Sequence, residues 1–92
     1  RYFDSEELFE GRTPVTTAGY VTDVLTDRAL RFVDENRERP FFLYVPYNAP
    51  HAPNLAPDPV VAKYLRKGLT LPNAQIYAMI DVVDQNVGRL LK

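Results

Sequence analysis

Phe41-Phe42-Leu43-Tyr44-Val45-Pro46-Tyr47 is the stretch on which the reading of the fold turns. It shows no polar alternation, which is the pattern of a strand buried on both faces rather than one with a wet side. Pro46 has no N–H to give to a ladder, so pairing on that side should end there. The residues that follow, Asn48-Ala49-Pro50-His51-Ala52-Pro53-Asn54, predict an extended loop, because a residue before proline avoids the helical region. A strand apolar on both faces needs neighbours on both edges and helices above and below it. No second convincing strand can be read from the sequence. Periodicity alone therefore predicts part of a larger sheet protein, or a chain that pairs strands between copies.

Outward from the strand, residues 21–37 read as a helix, with Val21, Leu25, Ala29, Phe32 and Val33 on one apolar stripe. Thr22 suits its N-cap and Asp23 its positive end. Arg37 and Arg39 suit the other end, and Pro40 stops it. Residues 1–19, punctuated by Gly11, Pro14 and Gly19, read as irregular. Asp58-Pro59 marks the start of a short helix ending near Gly68. A last helix runs from about residue 72 to the end, with Ile76, Ile80, Val83, Val87, Leu90 and Leu91 as its apolar face and Gly88 as a close packing contact. The order helix, buried strand, loop, helices is an α/β pattern.

Composition narrows the function classes. The chain has 92 residues, enough for one small domain with a thin core. A formal net charge of −1 gives no argument for nucleic acid or an acidic membrane surface. The mixed charge run at residues 34–39 reads as a solvated helix end. Absence of cysteine excludes a disulfide scaffold and a Cys-ligated zinc site. No apolar run approaches the roughly 20 residues of a membrane span, and the first residues lack the apolar core of a signal peptide. With no initiator Met, the sequence is expected to be cut from something longer.

His51 is the sole histidine and lies just past the C-terminal end of the predicted strand, where open α/β sheets gather ligands. The prolines at 50 and 53 stiffen its loop. A histidine there can donate to an oxyanion, accept a proton or bind a metal. Spacing alone fits at least as well with a surface-loop histidine bonded to backbone. Asn48 is within reach of a ligand from the strand end, although a turn role serves it equally. Asp81 and Asp84, three apart on the last helix, fit a proton-sharing or metal-binding pair, and more ordinarily a surface feature. Lys63, Arg66 and Lys67 form a basic turn. Tyr44 is expected in the core and Tyr47 in the site wall. There is no Gly-rich phosphate loop, no G-x-S-x-G turn and no H-E-x-x-H.

Several stretches taken together resemble the middle of the sulfatase family: Tyr20-Val21-Thr22-Asp23, Leu25-Thr26-Asp27-Arg28-Ala29, Arg39-Pro40-Phe41-Phe42-Leu43-Tyr44-Val45 and Asn48-Ala49-Pro50-His51-Ala52-Pro53. The ending, with Asp84-Gln85-Asn86-Val87-Gly88, is similar to the helix that follows in those enzymes. The likeness covers roughly residues 19–92. The K/R-P-F-F-L-Y strand with the P-H-x-P loop is its most specific part.

The resemblance implies an internal fragment, residues 1–92, of an alkaline-phosphatase-like α/β/α sandwich with a central mixed sheet. It implies hydrolysis of sulfate esters by a formylglycine made from Cys or Ser in a C/S-x-P-S/A-R motif, with a divalent cation, usually calcium, holding sulfate and nucleophile. His51 matches the family histidine that contacts the sulfate, and Asp84 matches a helix aspartate with a structural role. The nucleophile motif and the early Asp-Asp metal pair are not in this sequence, and Lys63 does not match the family's active-site lysine. The segment alone is thus expected to bind no calcium at the family site and to be inactive, with the substrate of the whole enzyme a small sulfate ester or glycan. Enzymes of this kind are periplasmic, secreted or lysosomal. Two other readings remain: a phosphonate or phosphodiester hydrolase of the same superfamily, or a non-catalytic module that self-associates.

Overall fold

A computed structural model describes residues 2–5 and 8–92; residues 1, 6 and 7, which fall in the stretch expected to be irregular, lie outside it. The elements run β1 (Leu8–Glu10), β2 (Thr13–Val15), α1 (Val21–Asn36), α2 (Asp58–Leu65) and α3 (Leu71–Leu90).

The first stretch is more ordered than expected. β1 and β2 pair antiparallel in the register Leu8–Val15, Phe9–Pro14 and Glu10–Thr13. Gly11, at φ 65°, supplies the positive φ that a two-residue hairpin turn needs. Phe3 bridges to Tyr20, and the Gly19 N–H donates to Asp4 Oδ1 at 2.7 Å. Strands of three residues are too short to show alternation, so composition alone reads them as loop.

The three helices fall where periodicity puts them; α1 buries Val21 and Ala29 of the expected stripe together with two threonines, while α3 buries a different face from the one expected. Tyr20, not Thr22, occupies the N-cap of α1. Thr22 and Thr26 are fully buried while Phe32 is exposed. In α3 the buried residues are Ala74, Ala78, Met79, Val82 and Asn86, whereas Ile80, Val87 and Leu91 are exposed. α3 packs on both α1 and α2, and the small alanines let the helix backbones approach closely. Of the bulkier stripe, Ile76, Val83 and Leu90 are only half-buried. Gly88 is not a packing contact: a Cβ there would meet nothing within 4 Å. α2 ends in a closure in which the Gly68 N–H bonds to Leu65 O and the Leu69 N–H to Tyr64 O. Gly68 at φ 93° fills the left-handed position this closure requires.

Residues 41–47 differ most from expectation. Among the described residues they join no ladder, Phe42 is 85% and Tyr44 75% exposed, and Tyr44 is therefore not a core residue. The stretch has no regular secondary structure, and among the described residues no strand pairs with it. The molecule is 17 Å thick along its shortest axis, and its radius of gyration is 14.7 Å, against about 12 Å for a compact domain of this length. One thin core, built from Tyr2, Tyr20, Val21, Ala56, Val61 and the α3 face, holds it together.

Candidate functional site

The loop between residue 47 and α2 is pinned from both sides. Tyr2 and Tyr20, both buried, stack with centroids 5.8 Å apart. The Tyr2 hydroxyl donates to the His51 carbonyl at 2.6 Å, with the Asn48 carbonyl 3.3 Å away. The Tyr20 hydroxyl donates to the Leu55 carbonyl at 2.5 Å. Inside the loop the His51 N–H returns to Asn48 O at 3.0 Å, and Asn54 Nδ2 donates to Pro50 O at 3.0 Å. The Ala56 N–H donates to Gln75 Oε1 on α3 at 3.1 Å. Burial pushes the Tyr20 hydroxyl up to about 12, helped by Tyr2 beside it, and burial also raises Tyr2. Both hydroxyls therefore stay protonated and remain donors.

This loop forms one wall of an open cavity of about 590 Å³, whose lining includes Tyr2, Phe3, Asp4, Asn48, His51 and Leu55. His51 and Asn48 are thus brought to the same cavity. His51 is exposed, and its Nδ1 contacts the Ala52 carbonyl. A carbonyl only accepts, so Nδ1 carries the proton and Nε2 is the nitrogen left for a ligand. Nε2 can donate to an anion only when the ring is doubly protonated, as an imidazolium.

The other candidates lie elsewhere. Asp81 accepts from Gln85 Nε2 at 2.7 Å, Tyr64 OH at 2.7 Å and Lys63 Nζ at 2.9 Å. These bonds hold its carboxyl at about 2. The cluster locks α2 to α3 and lines a separate depression that includes Asp84 and Tyr77. Tyr47 is not a wall of the His51 cavity: its hydroxyl meets Thr26 Oγ1 on α1 at 2.6 Å. Tyr2, Gln75 and Asn54 were not singled out from the sequence. Their partners lie up to 49 residues away, or are backbone carbonyls that no motif encodes.

A model of the sulfatase family matches residues 1–92. The chain belongs to the sulfatase family. It is 41% identical over 95 residues to an uncharacterized sulfatase, YdeN, of Escherichia coli K12, covering 99% of this chain and 17% of that protein. It is 31% identical over 94 residues to a sulfatase of Formosa agariphila, covering 94% of this chain and 17% of that one. Among solved structures, Ps i-CgsB in complex with k-i-k-neocarrahexaose superposes with a TM-score of 0.80 and 36% identity, over 87% of this chain and 18% of that one. A second crystal structure of Ps i-CgsB superposes with a TM-score of 0.78 and 36% identity, over 87% of this chain and 18% of that one. This sulfatase chain thus spans about one sixth of the length of its relatives, and over that part its fold class is α/β, as expected.

Proposed function

We propose that this chain is the part of a sulfate-ester hydrolase that brings a histidine, His51, to the sulfate group. The observation that carries the reading is the placement of His51. In a chain matched to the sulfatase family from end to end, its P-H-x-P loop lines a cavity and its Nδ1 is occupied by a carbonyl. An imidazolium Nε2–H there is suited to charge on sulfate oxygens or on the departing oxygen. Asn48, beside it, is a weaker candidate for substrate contact.

The formylglycine nucleophile and the divalent cation of the family resemblance belong to this reading as groups supplied from outside these residues. Among the described residues no three His, Cys, Asp or Glu side chains are grouped to hold a metal. The cavity offers one imidazole, the Asp4 carboxylate and the Asn48 amide, while calcium takes about six to eight oxygens. These side chains do not fit a calcium site on their own. The cation's role, polarising the sulfate when bound, is left to other parts of the enzyme. Accordingly the 92 residues alone are expected to hydrolyse nothing. A sulfated glycan is the substrate class favoured, because the superposable Ps i-CgsB is described in complex with k-i-k-neocarrahexaose.

The test is turnover of a chromogenic aryl sulfate and of a phosphate diester by a full-length protein containing this chain, with and without His51→Ala. Sulfate hydrolysis that falls at least about tenfold in the variant, ~1.4 kcal/mol of lost transition-state stabilisation, is the expected result. Preference for the diester moves the enzyme to the sister branch of the superfamily. An unaffected variant makes His51 an ordinary loop residue.

A further inference from the structure

Two buried tyrosine hydroxyls grip the His51 loop from outside it, one near each end. Tyr2 takes the carbonyl of His51 itself, at 2.6 Å, and Tyr20 takes that of Leu55, at 2.5 Å. Their rings stack on each other, so the two grips are coupled. Both are tied to the start of α1. Tyr20 is its N-cap, and the Val21 N–H donates to Tyr2 O at 2.6 Å. Both point their only donor at loop backbone.

We infer that Tyr2 and Tyr20 form a positioning clamp, in which Tyr2 fixes the His51 backbone and Tyr20 closes the loop behind it. A loop bearing three prolines among residues 50–57 lacks backbone donors at those positions, so it cannot build a ladder to hold itself. It must be held through its carbonyls, and carbonyls need outside donors. Hydroxyls fixed by ring stacking in a core supply them with little rotational freedom left to lose. Displacement of a reacting group by about 1 Å costs on the order of a hundredfold in rate. The clamp therefore acts on turnover through His51 without touching substrate. This role rests on the sulfatase reading of His51 for its catalytic part and on geometry alone for its structural part.

The experiment uses the full-length protein and the variants Tyr2→Phe and Tyr20→Phe, which keep both rings and remove only the hydroxyls. Amide hydrogen exchange of the peptide spanning residues 48–56 should accelerate at least about threefold in either variant, with exchange in α2 and α3 unchanged. If exchange at the loop does not change, the clamp is overturned, whatever the enzyme turns over. With aryl sulfate, Tyr2→Phe should lower kcat about tenfold and leave KM within about twofold, the pattern of an interaction felt only in the transition state. The same substitution made on top of His51→Ala should cost nothing further. An equal loss in both backgrounds would make Tyr2 merely a stability residue and overturn its positioning role. If the wild-type enzyme prefers a phosphodiester, the sulfatase reading fails, and the same cycle run on the diester still decides the clamp.

Discussion

The loop at residues 48–56 and the extended segment at 40–47 follow one another in the chain, yet their contacts come from opposite sources. The loop has two prolines, Pro50 and Pro53, among its nine residues and little that is bulky, but side chains 19 to 49 residues away hold it. The segment is the most apolar stretch in the sequence and is held by little. Phe41 meets Phe32 edge-on at 5.6 Å, Tyr47 meets Thr26, and Phe42 and Tyr44 face solvent. A carbonyl-rich loop can be satisfied by a few fixed donors. A strand apolar on both faces needs whole neighbouring elements. The same chain can meet the first demand and not the second, which also leaves exposed the α3 face of Ile80, Val87 and Leu91.

The largest effect expected follows from that contrast. Within these residues Phe42→Ala removes hardly any buried surface, since the ring is 85% exposed. In a full-length sulfatase, where strands can flank the segment, the same change should cost about 3–5 kcal/mol, the range for truncating a buried Phe. Urea unfolding of the full-length protein and its variant measures it. A loss under about 0.5 kcal/mol, as for an ordinary surface change, would mean that the segment is never covered, and the contrast between the two regions would vanish.

What could be read from the sequence divides along the same line. Helices were legible because their period is local: α1, α2 and α3 start within a residue of the expected positions and stop within about three. Which face of a helix is buried was not. Ala74 and Ala78 outrank Ile76 and Ile80 in the core because close approach rewards small residues, and hydrophobicity alone ranks them the other way. The β1–β2 hairpin was hidden by its brevity. His51 and Asn48 were legible from the P-H-x-P loop and share a cavity. Tyr2 was not, because a hydroxyl aimed at a backbone carbonyl leaves no trace in side-chain pattern.

Asp81 offers a second, smaller way to sharpen the comparison, because it fixes α2, the element into which the loop runs. Hydrogen bonds from Gln85, Tyr64 and Lys63 hold its carboxyl at about 2, below the ordinary 3.8. A depressed carboxyl stabilises the fold fully above about pH 4, and this contribution fades as pH falls from about 4 towards 2. Lys63 is half exposed, so solvent screening reduces the effect to about 1 kcal/mol. Asp81→Asn should therefore lower stability by about that much at pH 7, and the difference from wild type should fall well below half of that near pH 2, the pKa of the folded state. Thermal unfolding at the two pH values checks it. A deficit that persists unchanged in acid would show that shape, not charge, sets the worth of Asp81.

The smallest effect concerns the hairpin, which lies between the two regimes. Glu10 at the end of β1 pairs with both Arg28 and Arg31 of α1, and all three side chains are about half exposed. Beside these ions an apolar groove, with Leu8, Phe9, Val15, Leu25 and Phe32 in its walls, runs between hairpin and helix. Exposed pairs contribute about 0.2–1 kcal/mol and weaken with salt, whereas each apolar side chain that leaves water contributes more. Glu10→Gln should then cost no more than about 0.5 kcal/mol at low salt, and nothing measurable in about 1 M NaCl, where charges are screened within about 3 Å. Chemical denaturation with urea, which adds no ions, resolves the two salt conditions. A larger loss that survives salt would place the hairpin with the loop, held by specific polar contacts. The small, salt-sensitive loss expected would leave the groove as what seats it on α1.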